Sequence, residues 1–180
     1  MGEPPCFNCP IEDAVVYLAL GSNLGDRASN LRRAIDRIGE LGRVEAVSRI
    51  YESAAVGYRE QGPFYNLVLR LRTGLSPEEL FAGIKRIERE MGRTTSFRNA
   101  PRIIDIDILS YDDLVLHTKD LDIPHSRMTE RAFVLLPLSE VAPDFVHPVT
   151  RQRMEQLVEE AGKMEPAVPV GFPDTTDDTQ

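Results

Sequence analysis

Two aspartates separated by one residue, Asp105 and Asp107, are the most informative feature of the sequence. They lie in the segment 103–109, where isoleucine alternates with aspartate, as is typical of a strand with one polar face. On such a strand the two carboxylates project from the same face about 6–7 Å apart, so they can share one metal ion or bridge two. A half-exposed strand with its polar residues turned outward produces the same alternation, and for an isolated Asp-x-Asp pair that interpretation stays open.

The segment that precedes this aspartate pair is rich in basic residues. Residues 85–102 carry an excess of four positive charges, supplied by Lys85, Arg86, Arg89, Arg93, Arg98 and Arg102 against Glu88 and Glu90. Mg²⁺ is typically held by one or two carboxylates together with substrate phosphates, and guanidinium groups suit the remaining phosphate oxygens. The combination predicts a site for magnesium and phosphate, although a solvated helix face would explain the charges alone.

Three further sequence features give weaker indications of a functional site. The segment Gly21-Ser22-Asn23-Leu24-Gly25 could bring backbone close to a phosphate, but it lacks the ending of a P-loop, and a helix-capping turn explains it equally well. His125 follows a proline and precedes Arg127, a setting for a phosphate or proton contact or for a structural role. The histidines have no ligand-like spacing, and Cys6 and Cys9 offer only two ligands, so a zinc site is not expected.

Length and composition predict one domain with tails. The 180 residues are 42% hydrophobic and 28% charged, with a net charge of −8 that lies mostly beyond residue 155. We expect a disordered N-terminal extension at 1–13, a catalytic domain at 14–161 and a disordered acidic tail at 162–180. No window approaches the ~18 apolar residues that span a bilayer, and residues 1–10 lack the features of a secretory signal, which predicts a cytoplasmic protein without a membrane partner.

Hydrophobic periodicity predicts the elements that position the aspartates. The order is strand (15–20), helix (31–41), strands (44–52 and 64–72), helix (77–91) and strand (103–109). This βαββαβ order is that of an α+β, ferredoxin-like domain, in which both helices cover one face of an antiparallel sheet and leave the other face available. C-terminal helices are expected at 127–140 and 151–161, the first broken early by Pro137.

Together these stretches resemble the 6-hydroxymethyl-7,8-dihydropterin pyrophosphokinase family of folate biosynthesis, over residues 15–157. The resemblance rests on Ala19-Leu20-Gly21-Ser22-Asn23-Leu24-Gly25, on Phe64-Tyr65-Asn66, on Arg98-x-x-Pro101-Arg102-x-x-Asp105-Ile106-Asp107-Ile108-Leu109, and on Pro124-His125-x-Arg127-Met128-x-Glu130-Arg131-x-Phe133-Val134-Leu135. It implies a ferredoxin-like fold and the transfer of the β,γ-diphosphate of ATP to the pterin hydroxymethyl oxygen, leaving AMP. The implied substrates are ATP and 6-hydroxymethyl-7,8-dihydropterin, with two Mg²⁺ ions, and we expect a monomer that binds no nucleic acid.

The resemblance also implies roles for particular residues. The catalytic set would be Arg93, Arg102, Asp105 and Asp107, and the last two would hold the metal ions. ATP would be bound by Lys85, Glu88, Arg93, Arg98, Arg102, Ile108, His125 and Arg131. The pterin would lie between Phe64 and Phe133, in contact with Ser53, Ala54, Val56, Asn66 and Asp105. The loop from Gly92 to Ala100, which holds little apolar surface, is predicted to be mobile without ligand and to close over ATP.

The sequence departs from better-known members of this family at three places. Ala54-Ala55 replaces a proline-containing pair, Asn99 stands where some members have tryptophan, and Ser126 stands where some have tyrosine.

Two other classes of protein remain open. A palm-type nucleotidyltransferase or cyclase also sets paired aspartates on a ferredoxin-like sheet, but it would release pyrophosphate. A ferredoxin-like domain that binds RNA or another ligand would need no metal and would use exposed aromatic residues such as Tyr17, Phe64 and Tyr65.

Overall fold

An antiparallel sheet organises the part of the chain that the computed structural model describes, which is residues 13–55, 61–92 and 101–171. Six strands form it in the order β5-β1-β4-β3-β8, and β2 also pairs with β4. A separate two-stranded ribbon joins β6 and β7. The strands are β1 (Ala14–Ser22), β2 (Arg43–Val47), β3 (Ile50–Ser53), β4 (Phe64–Thr73), β5 (Asp105–Tyr111), β6 (Leu116–His117), β7 (Asp122–Ile123) and β8 (Ala167–Val170). The α-helices are α1 (Arg27–Ile38), α2 (Pro77–Glu90), α3 (Ala132–Val141) and α4 (Met154–Ala161), and a 3₁₀ turn spans Met128–Glu130.

The helix α2 begins at the residue that the sequence signals predict, and α1 begins four residues before the predicted start at residue 31. In α2 the Ser76 hydroxyl accepts from the Glu79 N–H while the Glu79 carboxylate accepts from the Ser76 N–H, which is a complete capping box, and Pro77 occupies the first turn. In α1 the Asp26 carboxylate accepts from the Ser29 N–H. Both helices bury their apolar stripes on one face of the sheet, against alternate residues of β1. The core formed there includes Val16, Leu18, Leu20, Leu31, Ile38, Leu69, Leu80, Ile84 and Ile106.

The second face of the sheet is covered at one end, where the sequence analysis expected it to be open. The helices α3 and α4 pack there against Val68 and Leu109, with Tyr17 and Ala19 beside them. Because α3 is apolar on nearly all sides, it is suited to lie between the sheet and α4. The end of this face near Gly21 and the aspartate pair is accessible, and it forms the cavity described below.

Several predicted elements have different bounds, and two of the differences have a clear physical cause. The predicted strand at 44–52 is wrong as a single strand, because β2 and β3 pair separately with β4. Between them, the buried Ser48 hydroxyl accepts from the Val68 N–H (3.0 Å) and donates to the Arg49 carbonyl (2.8 Å), so a side chain takes over part of the ladder. The early break at Pro137 is also wrong. The helix α3 runs through this residue to Val141, since burial offsets the one hydrogen bond that proline removes.

The tail holds a strand that the sequence analysis missed. Residues 167–170 form β8, which pairs antiparallel with β3, and Val170 packs against the main core. The predicted disorder is therefore wrong for residues 162–171, because backbone pairing and an apolar contact order them despite the proline-rich composition. Residues 1–12 and 172–180 lie outside the described residues. Among the helices of the described residues, none is long and apolar enough to cross a membrane.

Candidate active site

A cavity of about 220 Å³ lies on the open end of the second sheet face. The strands β1, β4 and β5 form its floor, and the beginning of α3 forms one wall. Most of the residues proposed from the sequence lie around it: Ser53, Ala54, Phe64, Asn66, Arg102, Asp105, Asp107, His125, Arg131 and Phe133. Residues that are far apart in the chain are brought together because β1 pairs with both β4 and β5.

The aspartate pair lies on this face as predicted. Asp105 is opposite Gly21 and Asp107 is opposite Ala19 in the β1–β5 ladder, so both carboxylates lie on the side of the cavity. Burial raises the pKa of Asp107, and the negative charge of Asp105 raises it further. A buried carboxyl group beside a second carboxylate is a favourable place for a divalent cation, whose positive charge offsets the electrostatic cost of the negative charges. Arg102 makes an ion pair with Asp105.

The donor set fits Mg²⁺ bound together with phosphate. Within residues 13–55, 61–92 and 101–171, no cluster of three or more His, Cys, Asp or Glu side chains could hold a metal ion. Asp105 and Asp107 could supply two oxygen ligands and leave the remaining positions to water and phosphate oxygens, which is how Mg²⁺ is usually coordinated.

His125 is held in a defined orientation at the edge of the cavity. Its backbone N–H donates to the Leu109 carbonyl (2.9 Å), and its ring Nδ1 accepts from the Arg127 N–H (3.1 Å). A ring nitrogen that accepts carries no proton, so the neutral imidazole carries its proton on Nε2. His125 can therefore donate a hydrogen bond from Nε2 to an anionic ligand.

Arg131 brings a half-buried positive charge to the same cavity. Burial lowers the pKa of its guanidinium, the charge of Arg127 lowers it further, and Asp107 and Asp105 act in the opposite direction. Its guanidinium carbon lies 5.7 Å from the centre of the Phe133 ring. An anion bound in the cavity would relieve the electrostatic cost of these neighbouring cations.

A slot opens between the floor of the cavity and Phe64. The Asn66 Nδ2 donates to the Ser53 hydroxyl (3.0 Å) and to the Tyr51 carbonyl (3.3 Å), which fixes the amide and leaves its Oδ1 as an acceptor. Gly21 lies opposite Asn66 in the β1–β4 ladder. A Cβ at this position would lie 3.3 Å from the Asn66 Oδ1 and 3.6 Å from the Phe64 ring. Glycine therefore keeps the slot open beside a fixed acceptor and an aromatic face.

Asn23 forms hydrogen bonds with two distant segments of the chain, a role that its sequence motif does not predict. Its Oδ1 accepts from the Arg102 N–H (2.7 Å), its own N–H donates to the Arg102 carbonyl (3.1 Å), and its Nδ2 donates to the Gln61 side chain (2.9 Å). It ties the segment after β1 to the segments that lead into β4 and β5. Gln61 and Arg127, which also line the cavity, were not proposed as site residues either. The matched motifs contain Asn23 and Arg127, but only the three-dimensional arrangement gives them partners.

Three of the proposed ATP-binding residues lie away from the cavity lining. The buried Glu88 carboxylate accepts from the Ile106 N–H (2.8 Å) and from the Lys85 ammonium (2.9 Å), and Ile108 is part of the main core. Because Ile106 separates the two aspartates, Glu88 fixes the edge of β5 between them. The nucleotide contacts of Lys85, Glu88 and Ile108 stay predictions.

Other proposed residues lie outside the described part of the chain. Val56, Arg93, Arg98 and the loop 93–100, including Asn99, belong to this group, so their roles and the predicted loop closure stay predictions. Of the other departures, Ala54 lines the cavity.

The fold and the cavity together define a class: proteins in which an antiparallel sheet presents paired aspartates and basic side chains to a phosphate-bearing ligand, beside a slot for a flat ring. The family described as 7,8-dihydro-6-hydroxymethylpterin-pyrophosphokinase (HPPK) matches residues 17–143. The chain belongs to this family, and the resemblance inferred from the sequence is confirmed.

Individual relatives agree with this assignment. The chain is 45% identical over 144 residues to the 2-amino-4-hydroxy-6-hydroxymethyldihydropteridine pyrophosphokinase of Aquifex aeolicus, covering 80% of this chain and 90% of that protein. It is 46% identical over 153 residues to the folic acid synthesis protein FOL1 of Dictyostelium discoideum, covering 83% of this chain but only 23% of that longer protein. A crystal structure of a Plasmodium falciparum HPPK-DHPS variant superposes with a TM-score of 0.69 at 19% identity, covering 83% of this chain and 44% of that one. This last similarity concerns the fold.

Proposed function

We propose that this protein transfers the β,γ-diphosphate of ATP to the hydroxymethyl oxygen of 6-hydroxymethyl-7,8-dihydropterin and releases AMP, as a step of folate biosynthesis. The observation that carries the proposal is that Asp105 and Asp107 share one cavity with basic side chains and with two aromatic rings, Phe64 and Phe133. The phosphates of a nucleoside triphosphate are bound by basic side chains, and a flat heterocycle is bound by aromatic rings.

The reaction requires the pterin oxygen to meet the β-phosphorus of ATP. A bond forms between these atoms, the bond from the β-phosphorus to the oxygen bridging the α- and β-phosphates breaks, and AMP leaves with the electron pair. The proton of the hydroxymethyl group is lost to solvent or to a phosphate oxygen. Catalysis of such a step is mostly positioning and charge stabilisation. Mg²⁺ ions, two in our proposal, would be held by Asp105 and Asp107 and would neutralise charge on the phosphates.

The side chains of the cavity have separate tasks in this proposal. Arg102, Arg131 and the Nε2–H of His125 would donate to phosphate oxygens, while Arg93 and Arg98 would add contacts from the loop. The pterin would stack between Phe64 and Phe133, with its edge donors directed to the Asn66 Oδ1 and its other contacts near Ser53, Ala54, Val56 and Asp105. Lys85, Glu88 and Ile108 would contribute to the nucleotide side.

The sheet is proposed to be a ferredoxin-like sheet with additions. The order β5-β1-β4, with β2 and β3 on the far side of β4 and both early helices on one face, supports that classification. In this interpretation, β2 and β3 together replace one strand, and β8 is an extra edge strand. The monomeric state and the cytoplasmic location stay predictions.

The test is the identity of the nucleotide product. The protein is incubated with ATP, Mg²⁺ and 6-hydroxymethyl-7,8-dihydropterin, and the products are separated by anion-exchange chromatography. We expect AMP and a pterin diphosphate in equal amounts, with no AMP when the pterin is omitted. Accumulation of ADP, or of free pyrophosphate as a nucleotidyltransferase would release it, contradicts the proposal. Asp105→Asn, which removes a proposed metal ligand, should reduce AMP formation, whereas the matched control Asp113→Asn, at an exposed aspartate outside the cavity lining, should not.

A further inference from the structure

Arg127 is a cationic residue of the cavity to which the proposed function assigns no task. It lines the same cavity as Asp107, His125 and Arg131. Its backbone N–H orients the His125 ring, and its side-chain Nε donates to the Glu130 carboxylate at 3.1 Å. About half of its side chain is exposed, so the guanidinium has room to move.

Arg127 shares the cavity with a second cation, Arg131, and the described carboxylates that line this cavity are those of Asp105 and the buried Asp107. Among the described residues, the Arg131 guanidinium has no hydrogen bond or ion pair with a protein group, and Asp105 is already paired with Arg102. Turning Arg127 inward in the absence of a ligand would bring it closer to Arg131, a like charge in a partly buried setting. Its ion pair with Glu130 avoids that repulsion.

We infer that Arg127 is a further substrate-binding residue, which leaves Glu130 and contacts a phosphate of the diphosphate that is transferred. Glu130 is then a positioning residue that holds Arg127 at the rim until a polyphosphate enters. The anion reverses the balance, because a charge-assisted contact to phosphate replaces an exposed ion pair of small net strength and also compensates the charge of Arg131. The inference rests on the proposed function, since it assumes that the ligand is a nucleoside triphosphate bound with Mg²⁺.

The test measures binding to the full chain by isothermal titration calorimetry, with Mg²⁺ and either α,β-methylene-ATP or AMP. Arg127→Gln is expected to weaken binding of the triphosphate analogue about 10-fold or more, as loss of a charged hydrogen bond implies, and to leave AMP binding within twofold. Glu130→Gln is expected to tighten binding of the analogue by a factor of about two to five, because it removes the competing partner.

Arg37→Gln is the matched control. Arg37 forms an ion pair with Glu40 at the same i,i+3 spacing and a second one with Glu90 on α2, and it does not line the cavity, so its replacement should leave both affinities unchanged. Thermal unfolding of each variant checks that the fold is intact, which the exposure of Arg127 leads us to expect.

Two results would overturn the inference. One is analogue binding by Arg127→Gln within twofold of the unchanged protein, and the other is weaker binding by Glu130→Gln, which would mean that Glu130 only orients Arg127. Failure of the proposed function has a different signature, namely absence of AMP from the reaction of the unchanged protein. Triphosphate binding that depends on Arg127 would still be measurable in that case.

Discussion

At the scale of single residues, the cavity is built from groups whose environment is unfavourable until a ligand arrives. Asp107 is buried beside a second carboxylate, and Arg131 is half-buried beside a second guanidinium. Such arrangements reduce stability in the free protein and favour the binding of cations and phosphates. Substitutions at these positions should therefore lower the activity without lowering the stability of the free protein.

We expect Asp107→Asn to reduce AMP formation by at least about 100-fold, because it removes a proposed metal ligand and its charge. The thermal unfolding temperature without Mg²⁺ should stay the same or rise, since a neutral amide of equal size ends the repulsion with Asp105. A coupled assay over a Mg²⁺ titration and a thermal melt give the two readouts. Full Mg²⁺-dependent activity in this variant would remove the aspartate pair from the mechanism.

Gly21→Ala is expected to narrow the slot. The added methyl group would meet the Asn66 Oδ1 at 3.3 Å and the Phe64 ring at 3.6 Å, so the KM for the pterin should rise about 10-fold. Affinity for an ATP analogue should change little. Gly62→Ala is the control, because a Cβ there meets nothing within 4 Å. An unchanged KM for the pterin in Gly21→Ala would show that the pterin lies elsewhere.

At the scale of elements, α3 carries Phe133 into the cavity and is tied at its other end to β3. The Glu140 carboxylate accepts from the Tyr51 hydroxyl (2.6 Å), from the Arg49 N–H (2.8 Å) and from the Arg49 guanidinium (2.8 Å). Burial acts to raise the pKa of Glu140, but these hydrogen bonds outweigh it and hold the pKa below its ordinary value. The ionised carboxylate is therefore a stabilising link between helix and sheet.

Glu140→Gln should lower the free energy of unfolding by about 1–3 kcal/mol at pH 7, the range for hydrogen bonds to a charged group. A carboxyl whose pKa is depressed on folding contributes stability above its unfolded pKa and loses it as the pH falls through the folded value. The difference between the two proteins should accordingly shrink below about pH 4.5. Urea unfolding at pH 7, 5 and 4 measures it, with Glu159→Gln, an exposed position on α4, as the control. A difference that stays constant with pH would contradict the proposed link.

At the scale of the whole molecule, the end of the described chain returns to the sheet. The strand β8 covers the edge of β3, buries Ala167 and brings Val170 to the main core. An uncovered edge strand has unpaired backbone groups and a tendency to associate. Residues 167–170 should therefore contribute to stability although they lie beyond the region matched by the family, residues 17–143.

Removal of residues 165–180 should lower the melting temperature by roughly 5–10 °C, which corresponds to a few kcal/mol for a protein of this size. Removal of 172–180 alone, which leaves β8 intact, is the control and should have a smaller effect. Differential scanning calorimetry of the two shortened proteins makes the comparison. Equal melting temperatures would mean that β8 adds no stability.

The sequence by itself determined the features whose signals are local. The capping box at Ser76 and Glu79, the alternation around Asp105 and Asp107, and the motifs that identify the family all lie within short segments, so spacing alone was sufficient. The tertiary structure decided which distant residues meet. Gly21 lies opposite both Asn66 and Asp105 only because β1 pairs with two strands, and the register of those pairs depends on packing over the whole sheet. The same reason explains the missed strand β8 and the intact helix at Pro137: in both, contacts with remote elements outweighed an unfavourable local composition.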